Sequence, residues 1–366
     1  MSYSALVKKL VRTLLSLVLV LAALALAGLG AGCFLAAPRY AGPLSNHFNG
    51  VEFFSPEATQ KPVGVTSSGL SAIIRWQSDR HPGPWSAFRE MPYGAAPVRE
   101  VPKGAMRVTF INHATTLIQL DGVNVLTDPI YSQRCSPVGF AGPSRVRPPG
   151  IRFEDLPRID AVVLSHNHYD HMDIATLKRL TDRWPHLRIF AGLGNKVFLD
   201  SKGLPNVAEL DWWDMRDVNG ITITSVPNQH FSNRGLGDSN GTLWTAYALR
   251  GSSGYAYFAG DTGYGPHFTR VYEKLGAPRL AVLPIGAYRP EWFMSPVHMS
   301  PIEAVKAAKD LHAALSVPMH YGTFPLADEG EMEAPEELKK ALEGTDVNFA
   351  ILDFGEARDV AEISVE

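Results

Sequence analysis

The stretch Leu164-Ser-His-Asn-His-Tyr-Asp-His-Met-Asp173 restricts the possible folds of this chain more than any other part of its sequence. It follows directly on an apolar run with the composition of a strand that is buried on both faces. His166 and His168 are two residues apart, so in extended chain both side chains point to the same side. Asp170 and His171 come where the next helix is expected to begin. Because histidine and carboxylate side chains rarely reach this density without a ligand, the stretch predicts a metal site at the end of a strand.

Three further ligand-type side chains each close a short run that is rich in apolar residues. They are His230, Asp261 and His320. Side chains at the ends of strands in a layered sheet can meet in one cleft, so we expect these three to join the histidine-rich stretch. Asp261 is the best candidate for a bridging ligand, because a carboxylate can offer one oxygen to each of two ions about 3.5–4 Å apart.

The rest of the chain from residue 106 alternates between strand-like and helix-like patterns. Strands are predicted at 107–111, 116–120, 123–126, 159–164, 187–191, 207–210, 220–226, 244–249, 255–259, 280–285 and 315–319. Helices are predicted at 174–183, 196–201, 268–275 and 301–312. Asp121-Gly122 is expected to form a hairpin turn, and Ser300 to cap the last of these helices. This alternation predicts mixed sheets covered by helices.

The pattern His166-x-His168-x-Asp170-His171, followed by His230, Asp261 and His320, resembles the metallo-β-lactamase superfamily. Further stretches resemble its branch of phospholipases D that hydrolyse N-acylphosphatidylethanolamine. These stretches are Leu126–Tyr131, Asp211–Trp213, Phe258–Tyr264, Pro284–Tyr288, Trp292–Met294 and His320–Phe324. The resemblance covers about residues 105–356 and implies an α/β fold, the four-layer αβ/βα sandwich of two mixed sheets between outer helices.

The resemblance also implies the site. One zinc ion would be held by His166, His168, His230 and Asp261, and a second by Asp170, His171, His320 and Asp261. Manganese and iron stay open as alternatives to zinc. Asp170 and His298 are the predicted catalytic residues, with His298, which matches a histidine near the metal centre of that branch, in contact with the substrate or its phosphate. A surface imidazole is the competing interpretation of His298. His113 and Asp128 are interpreted as braces beneath the site.

By this resemblance the chain is a dinuclear zinc hydrolase, with a phosphodiesterase activity of the phospholipase D type on N-acylphosphatidylethanolamine-like lipids. A metal-bound hydroxide would attack phosphorus. The alternatives are a lactone or amide hydrolase of β-lactamase type, a nuclease, and an envelope protein whose metals are structural. A formal net charge of −3 and the absence of long basic runs argue against a nucleic-acid partner.

One departure from the branch concerns Tyr288-Arg-Pro-Glu-Trp292, in which two charges are exchanged relative to the Tyr-Glu-Pro-Arg-Trp of the lipase branch. If Arg289 and Glu291 contact the substrate, the exchange alters the preference for a head group. If the two side chains pair with each other, the exchange has no such effect.

The N-terminus has a different composition. Lys8, Lys9 and Arg12 precede an uncharged apolar run from Leu14 to Ala37, long enough for the roughly 20 residues that span a bilayer. A retained anchor, a cleaved signal peptide and a lipid-modified Cys33 are the three interpretations. Each places the catalytic part on the non-cytoplasmic, periplasmic side of a membrane.

The expected organisation is therefore a membrane anchor or signal segment at 1–37, a wrapping segment at 38–104 and a hydrolase domain at 105–366. Only two cysteines are present, so a disulfide framework is not expected. The oligomeric state is left open by the sequence.

Overall fold

The structure is a computed structural model that describes residues 35–56 and 69–362, together with Leu17 and Gly32. Nearly all of the predicted membrane segment, including Cys33, lies outside these residues, so its interpretation stays a prediction. Within the described part, no helix combines the length and the apolar character that a membrane crossing needs.

Seven strands form the first sheet, in the order β13-β1-β2-β3-β4-β5-β6. They are β1 (Met106–Asn112), β2 (Thr115–Leu120), β3 (Val123–Thr127), β4 (Ala161–Leu164), β5 (Arg188–Gly192), β6 (Val207–Leu210) and β13 (Ala357–Val360). The strands from β13 to β3 pair antiparallel, and those from β3 to β6 pair parallel. The turn between β2 and β3 is at Asp121 and Gly122, both with positive φ (50° and 82°), as a two-residue hairpin requires.

Six strands form the second sheet, in the order β12-β11-β10-β9-β8-β7. They are β7 (Met215–Val218), β8 (Ile221–Val226), β9 (Ala246–Gly251), β10 (Gly254–Phe258), β11 (Leu280–Pro284) and β12 (Leu315–Met319). Strands β7 to β10 pair antiparallel, and β10 to β12 pair parallel. The sheet is therefore mixed, like the first.

Five of the seven α-helices in the described part pack against the two sheets, and the other two, Gly69–Ser78 and Glu291–Met294, pack against each other. These seven are α1 (Gly69–Ser78), α2 (Ile174–Arg183), α3 (Asn195–Ser201), α4 (His267–Leu275), α5 (Glu291–Met294), α6 (Pro301–Asp310) and α7 (Glu333–Leu342). The largest buried cluster includes the inner faces of both sheets, and a second cluster lies between the first sheet and α2 and α3. The predicted αβ/βα sandwich is confirmed.

Ser300 caps α6 as predicted. Its hydroxyl accepts the N–H of Glu303, and the Glu303 carboxylate accepts the N–H of Ser300 in return, which is a capping box. The helix ends at Asp310, two residues earlier than the sequence indicated, because His312 takes a left-handed conformation (φ 51°) that cannot continue a helix. Strand β4 likewise begins at Ala161, later than predicted.

The pattern of apolar residues missed six elements in the described part: α1, α5, α7, β7, β13 and the short 3-10 helix Phe153–Asp155. Both missed strands lie at sheet edges and are largely exposed, so they lack the alternation that marks a half-buried strand. The described parts of the wrapping segment attach through side chains. Arg80 pairs with Asp328 (2.7 Å), and the Trp85 indole N–H donates to the Glu329 carbonyl (2.9 Å).

Candidate metal centre

The side chains singled out in the sequence meet where strand ends of the two sheets face each other. The loop after β4 supplies His166, His168, Asp170 and His171. The second sheet supplies the other three, in segments that leave β8, β10 and β12: His230, Asp261 and His320. The structure brings all seven together, and all but the partly buried His168 and Asp170 are almost fully buried. Their role as ligands stays a prediction.

Three of them form what we call the three-histidine cluster: His166, His168 and His230. His168 Nδ1 lies 2.8 Å from His166 Nε2 and 3.4 Å from His230 Nε2, so three ring nitrogens face one point. The other ring nitrogen of His230 and of His166, Nδ1, contacts a neighbouring protein group. His230 Nδ1 donates to the Val297 carbonyl (2.9 Å), and His166 Nδ1 lies 2.9 Å from the Ser165 hydroxyl. These contacts fix the ring orientations that a metal ligand needs.

Protonation of the three-histidine cluster is disfavoured. Burial lowers the pKa of all three rings, for His168 to about 4, and neighbouring imidazoles add to this effect for His166 and His230. The three rings are therefore neutral at pH 7, and their lone pairs are free to bind a cation.

The second group, which we call the mixed cluster, consists of Asp170, His171 and His320. Asp170 Oδ2 lies 3.3 Å from His171 Nε2 and 3.4 Å from His320 Nε2. Asp261 lies between the two clusters. Its Oδ2 is 3.0 Å from His320 Nε2, 3.1 Å from His171 Nε2 and 4.0 Å from His230 Nε2. Both clusters can therefore reach the same carboxylate.

Charge balance in the mixed cluster is opposite to that in the three-histidine cluster. Burial disfavours protonation of His171 and His320, but the carboxylates of Asp261 and Asp170 outweigh it, raising the pKa of His320 to about 9 and that of His171 well above its usual value. Burial likewise disfavours ionisation of both aspartates, yet the imidazolium charges lower their pKa values. Without a cation, protons on two imidazoles neutralise two buried carboxylates.

Some buried polar atoms of the centre have no hydrogen-bond partner among the described residues, among them Asp261 Oδ1 and His298 Nδ1. Unpaired buried polar groups are costly, and here they point into one small region that is rich in nitrogen and oxygen donors. Imidazole and carboxylate ligands suit zinc, and also iron or manganese. The residues present therefore fit one or two divalent ions, whose identity they do not fix.

Asp128 supports both clusters from beneath. Its Oδ2 accepts from His171 Nδ1 (2.7 Å) and from the Ser165 hydroxyl (2.5 Å), and its Oδ1 accepts the Ser165 N–H (2.7 Å). The same hydroxyl contacts His166. The sequence interpretation as a brace agrees with these contacts, but the link to both clusters was not foreseen. Its only signal was an aspartate directly after a strand.

The backbone around the centre is tightly constrained. Gly260 has φ 62°, and a Cβ there would overlap the side chain of Ser165. A Cβ at Gly286 would overlap the carbonyl oxygen of His320, which itself has φ 69°. Gly260 thus lets loops of the two sheets approach closely, and Gly286 does the same for two loops of the second sheet.

His298 lies at the edge of the centre. Its Nδ1 is 3.8 Å from Asp261 Oδ2, and its side chain is 12% exposed, so it is partly buried like His168 and Asp170. Burial lowers its pKa to about 4, so the ring is neutral. These facts place it beside the centre and not on an open surface. Its predicted catalytic role, like that of Asp170, stays a prediction.

The structure does not show the pairing of Arg289 with Glu291 among the described residues, and their contact with a substrate stays a prediction. Arg289 instead pairs with Glu333 (2.9 Å) and Glu337 of α7. Glu291 begins the short helix α5 and is exposed. The arginine therefore ties the loop after β11 to α7.

Comparison with known proteins agrees with this architecture. Residues 123–321 match the family described as "Beta-lactamase superfamily domain". The N-acyl-phosphatidylethanolamine-hydrolyzing phospholipase D 1 of Caenorhabditis elegans is 40% identical over 269 residues, 69% of this chain and 76% of that protein. The mitochondrial N-acyl-phosphatidylethanolamine-hydrolyzing phospholipase D of Saccharomyces cerevisiae is 35% identical, over 64% of this chain and 51% of that protein. The isothiocyanate hydrolase from Delia radicum gut bacteria superposes with a TM-score of 0.55 at 25% identity, over 69% of this chain and 98% of that one.

Proposed function

The chain belongs to the beta-lactamase superfamily of metal-dependent hydrolases, and on that premise we propose that it cleaves a phosphodiester bond in an N-acylphosphatidylethanolamine-like lipid. The observation that carries the proposal is the position of Asp261, whose Oδ2 lies within 4.0 Å of imidazole nitrogens from both clusters. A centre with one shared carboxylate can hold two ions. Resemblance to the worm and yeast phospholipases over most of this chain supports the substrate class.

Two divalent ions, when bound, would lower the pKa of a water molecule and offset the charge that builds on phosphoryl oxygens. The chain supplies the rest. The three-histidine cluster and the mixed cluster would hold these two ions, and their buried setting would strengthen the effect of the positive charge on a nearby phosphate. His298 would contact the phosphate or the leaving group, a role supported by its Nδ1, which has no hydrogen-bond partner among the described residues.

The test is hydrolysis of an N-acylphosphatidylethanolamine in mixed micelles by the purified full chain loaded with zinc, manganese or iron(II). Phospholipase D chemistry breaks the bond between phosphorus and the oxygen of the head group, and so releases phosphatidic acid and an N-acylethanolamine. Mass spectrometry of both products decides the outcome. Release of a diacylglycerol or of a free fatty acid would place the cleavage at a different bond and would contradict the proposal.

A second candidate is a hydrolase that attacks a carbon atom instead of phosphorus, such as the carbonyl carbon of a lactone or an amide. The sequence also left this alternative open. The likeness to an isothiocyanate hydrolase gives this class one specific support. A panel of lactones, β-lactams and an aryl isothiocyanate, assayed beside the phospholipid under identical metal loading, separates the two. Activity confined to the panel would replace the phosphodiesterase proposal.

A further inference from the structure

His113 is not among the predicted ligands, yet it contacts two of them. It lies in the turn between β1 and β2, and it is 1% exposed. Its backbone takes a left-handed conformation (φ 46°), which is uncommon for a residue other than glycine. A buried histidine held in an unfavourable backbone conformation needs a structural or functional reason.

Its side chain contacts the mixed cluster. His113 Nε2 lies 2.9 Å from Asp170 Oδ2. An ionised carboxylate only accepts hydrogen bonds, so the imidazole N–H is the donor. Since Nδ1 of the same ring has no partner, this is the one hydrogen bond that the His113 side chain makes within the described residues. The contact is made to Oδ2, the same oxygen that faces His171 and His320, so it fixes the side of the Asp170 carboxylate that points into the mixed cluster.

Its backbone reaches the second ligand of the same cluster. The carbonyl of His113 accepts the N–H of His320 (2.8 Å), and the two imidazole rings lie 4.0 Å apart between centroids. The N–H of His113 donates to the Thr323 hydroxyl (3.1 Å). The left-handed turn at His113 therefore sets the position of His320, which also has a positive φ. One residue of the first sheet thus holds a ligand from each sheet.

We propose that His113 is a positioning residue for the mixed cluster: its N–H orients the Asp170 carboxylate, and its carbonyl and ring place His320, so that the second ion binds tightly. The inference rests on the proposed two-ion centre, but it does not depend on which bond is cleaved. His113 makes no contact with the three-histidine cluster in the described structure, so the first ion should not depend on it.

The test compares His113→Leu with His113→Gln in the full chain, with zinc affinities measured by competition against a chromophoric chelator. Leucine has no donor, whereas the glutamine amide can present an N–H at about the position of imidazole Nε2. We expect the leucine variant to bind the second ion roughly 10–100-fold more weakly, the range for loss of a partner behind a metal ligand. The glutamine variant should recover most of this loss, and the first ion should be unaffected.

A matched control exists in the same chain. His47 is 4% exposed and its Nε2 lies 2.7 Å from Asp211, whose side chain is 35% exposed, so a buried histidine here contacts an aspartate that is not a predicted metal ligand. His47→Leu removes the pair but should leave both ion affinities within about twofold of the parent, since a change in stability alone does not single out one ion. Thermal unfolding of each variant checks that the fold is retained.

The outcomes distinguish a failure of the two-ion centre from a failure of the positioning role of His113. If the parent chain binds only one ion, the two-ion centre fails, and the role of His113 fails with it. If the parent binds two ions and His113→Leu binds both normally, or loses both equally, only the positioning role is wrong. Should the leucine variant not fold, His113→Asn replaces it, because asparagine tolerates the left-handed backbone while its amide is too short to reach Asp170. An equal second-ion affinity for the asparagine and glutamine variants would then refute the proposal.

Discussion

The three-histidine cluster and the mixed cluster lie side by side and share Asp261, yet they manage charge in opposite ways. In the first, burial keeps His166, His168 and His230 neutral. In the second, carboxylates hold protons on His171 and His320. A cation can enter the first cluster without competition, whereas in the second it must displace protons. Two halves built from similar side chains therefore differ in how pH controls the binding of a cation.

The largest expected effect comes from Asp261→Asn, which removes the shared charge and so breaks the link between the clusters. We expect turnover to fall by more than the roughly 10²–10³-fold that loss of one electrostatic contact at a transition state costs. Zinc content, measured by atomic emission, should fall from two ions toward one. Retention of both ions and of full turnover would show that Asp261 bridges nothing.

Dependence on pH tests the protonation difference directly. Because the pKa of His320 is raised to about 9, binding of the second ion should strengthen by up to about tenfold for each pH unit between 7 and 9, for each proton displaced. Binding of the first ion should be flat in this window, since the pKa of His168 is lowered to about 4. Calorimetric titration in buffers of different ionisation enthalpy counts the protons released. Release of equal numbers of protons on binding of the first and of the second ion would contradict this difference between the clusters.

Removal of the metal tests the same difference in protonation through the stability of the protein. In the ion-free fold, the pKa of His320 is above its usual value near 6.5, so its stabilising contribution is complete below pH 6.5 and lost as pH passes about 9. We expect the unfolding temperature of chelator-treated protein to fall between pH 7 and 10, and that of zinc-loaded protein to fall less. Differential scanning calorimetry at each pH gives both values. If the unfolding temperatures of the two forms fall equally with pH, the protons on the mixed cluster do not replace the charge of the ion.

Asp128→Asn sharpens the comparison, because Asp128 contacts the mixed cluster directly and the three-histidine cluster only through Ser165. The amide keeps the shape but weakens the hydrogen bond to His171. We expect about 10–100-fold weaker binding of the second ion and a smaller change for the first. Chelator competition at pH 7.5 measures both. A larger effect on the first ion would show that Asp128 supports mainly the three-histidine cluster.

Ser165→Ala is expected to have the smallest effect, and it should weaken binding of the first ion more than binding of the second. It removes the hydroxyl between Asp128 and His166, a change comparable to the loss of one buried hydrogen bond, about 0.5–1.5 kcal/mol. Binding of the first ion should weaken by a few fold to about tenfold, with little change for the second. The same competition assay measures it, and an unchanged first-ion affinity would show that the hydroxyl has no orienting role.

The sequence predicted the fold and the grouping of the ligands well, for identifiable reasons. Each ligand follows a buried strand whose apolar run is plain, and strand ends of one sheet share an edge. What failed were elements without a periodic signal, such as the exposed edge strands β7 and β13. The sequence also indicated His113 as a brace beneath the site, but not its partner, because the contact with Asp170 joins residues that are 57 positions apart.

The division of the ligands between two sheets has a consequence for biosynthesis. During translation, β13 leaves the ribosome after every other strand, yet it completes an edge of the sheet whose remaining strands were made first. His320 is likewise synthesised well after His166, His168 and His230. All three histidines of the three-histidine cluster are therefore present in the nascent chain before the last residue of the mixed cluster has been made.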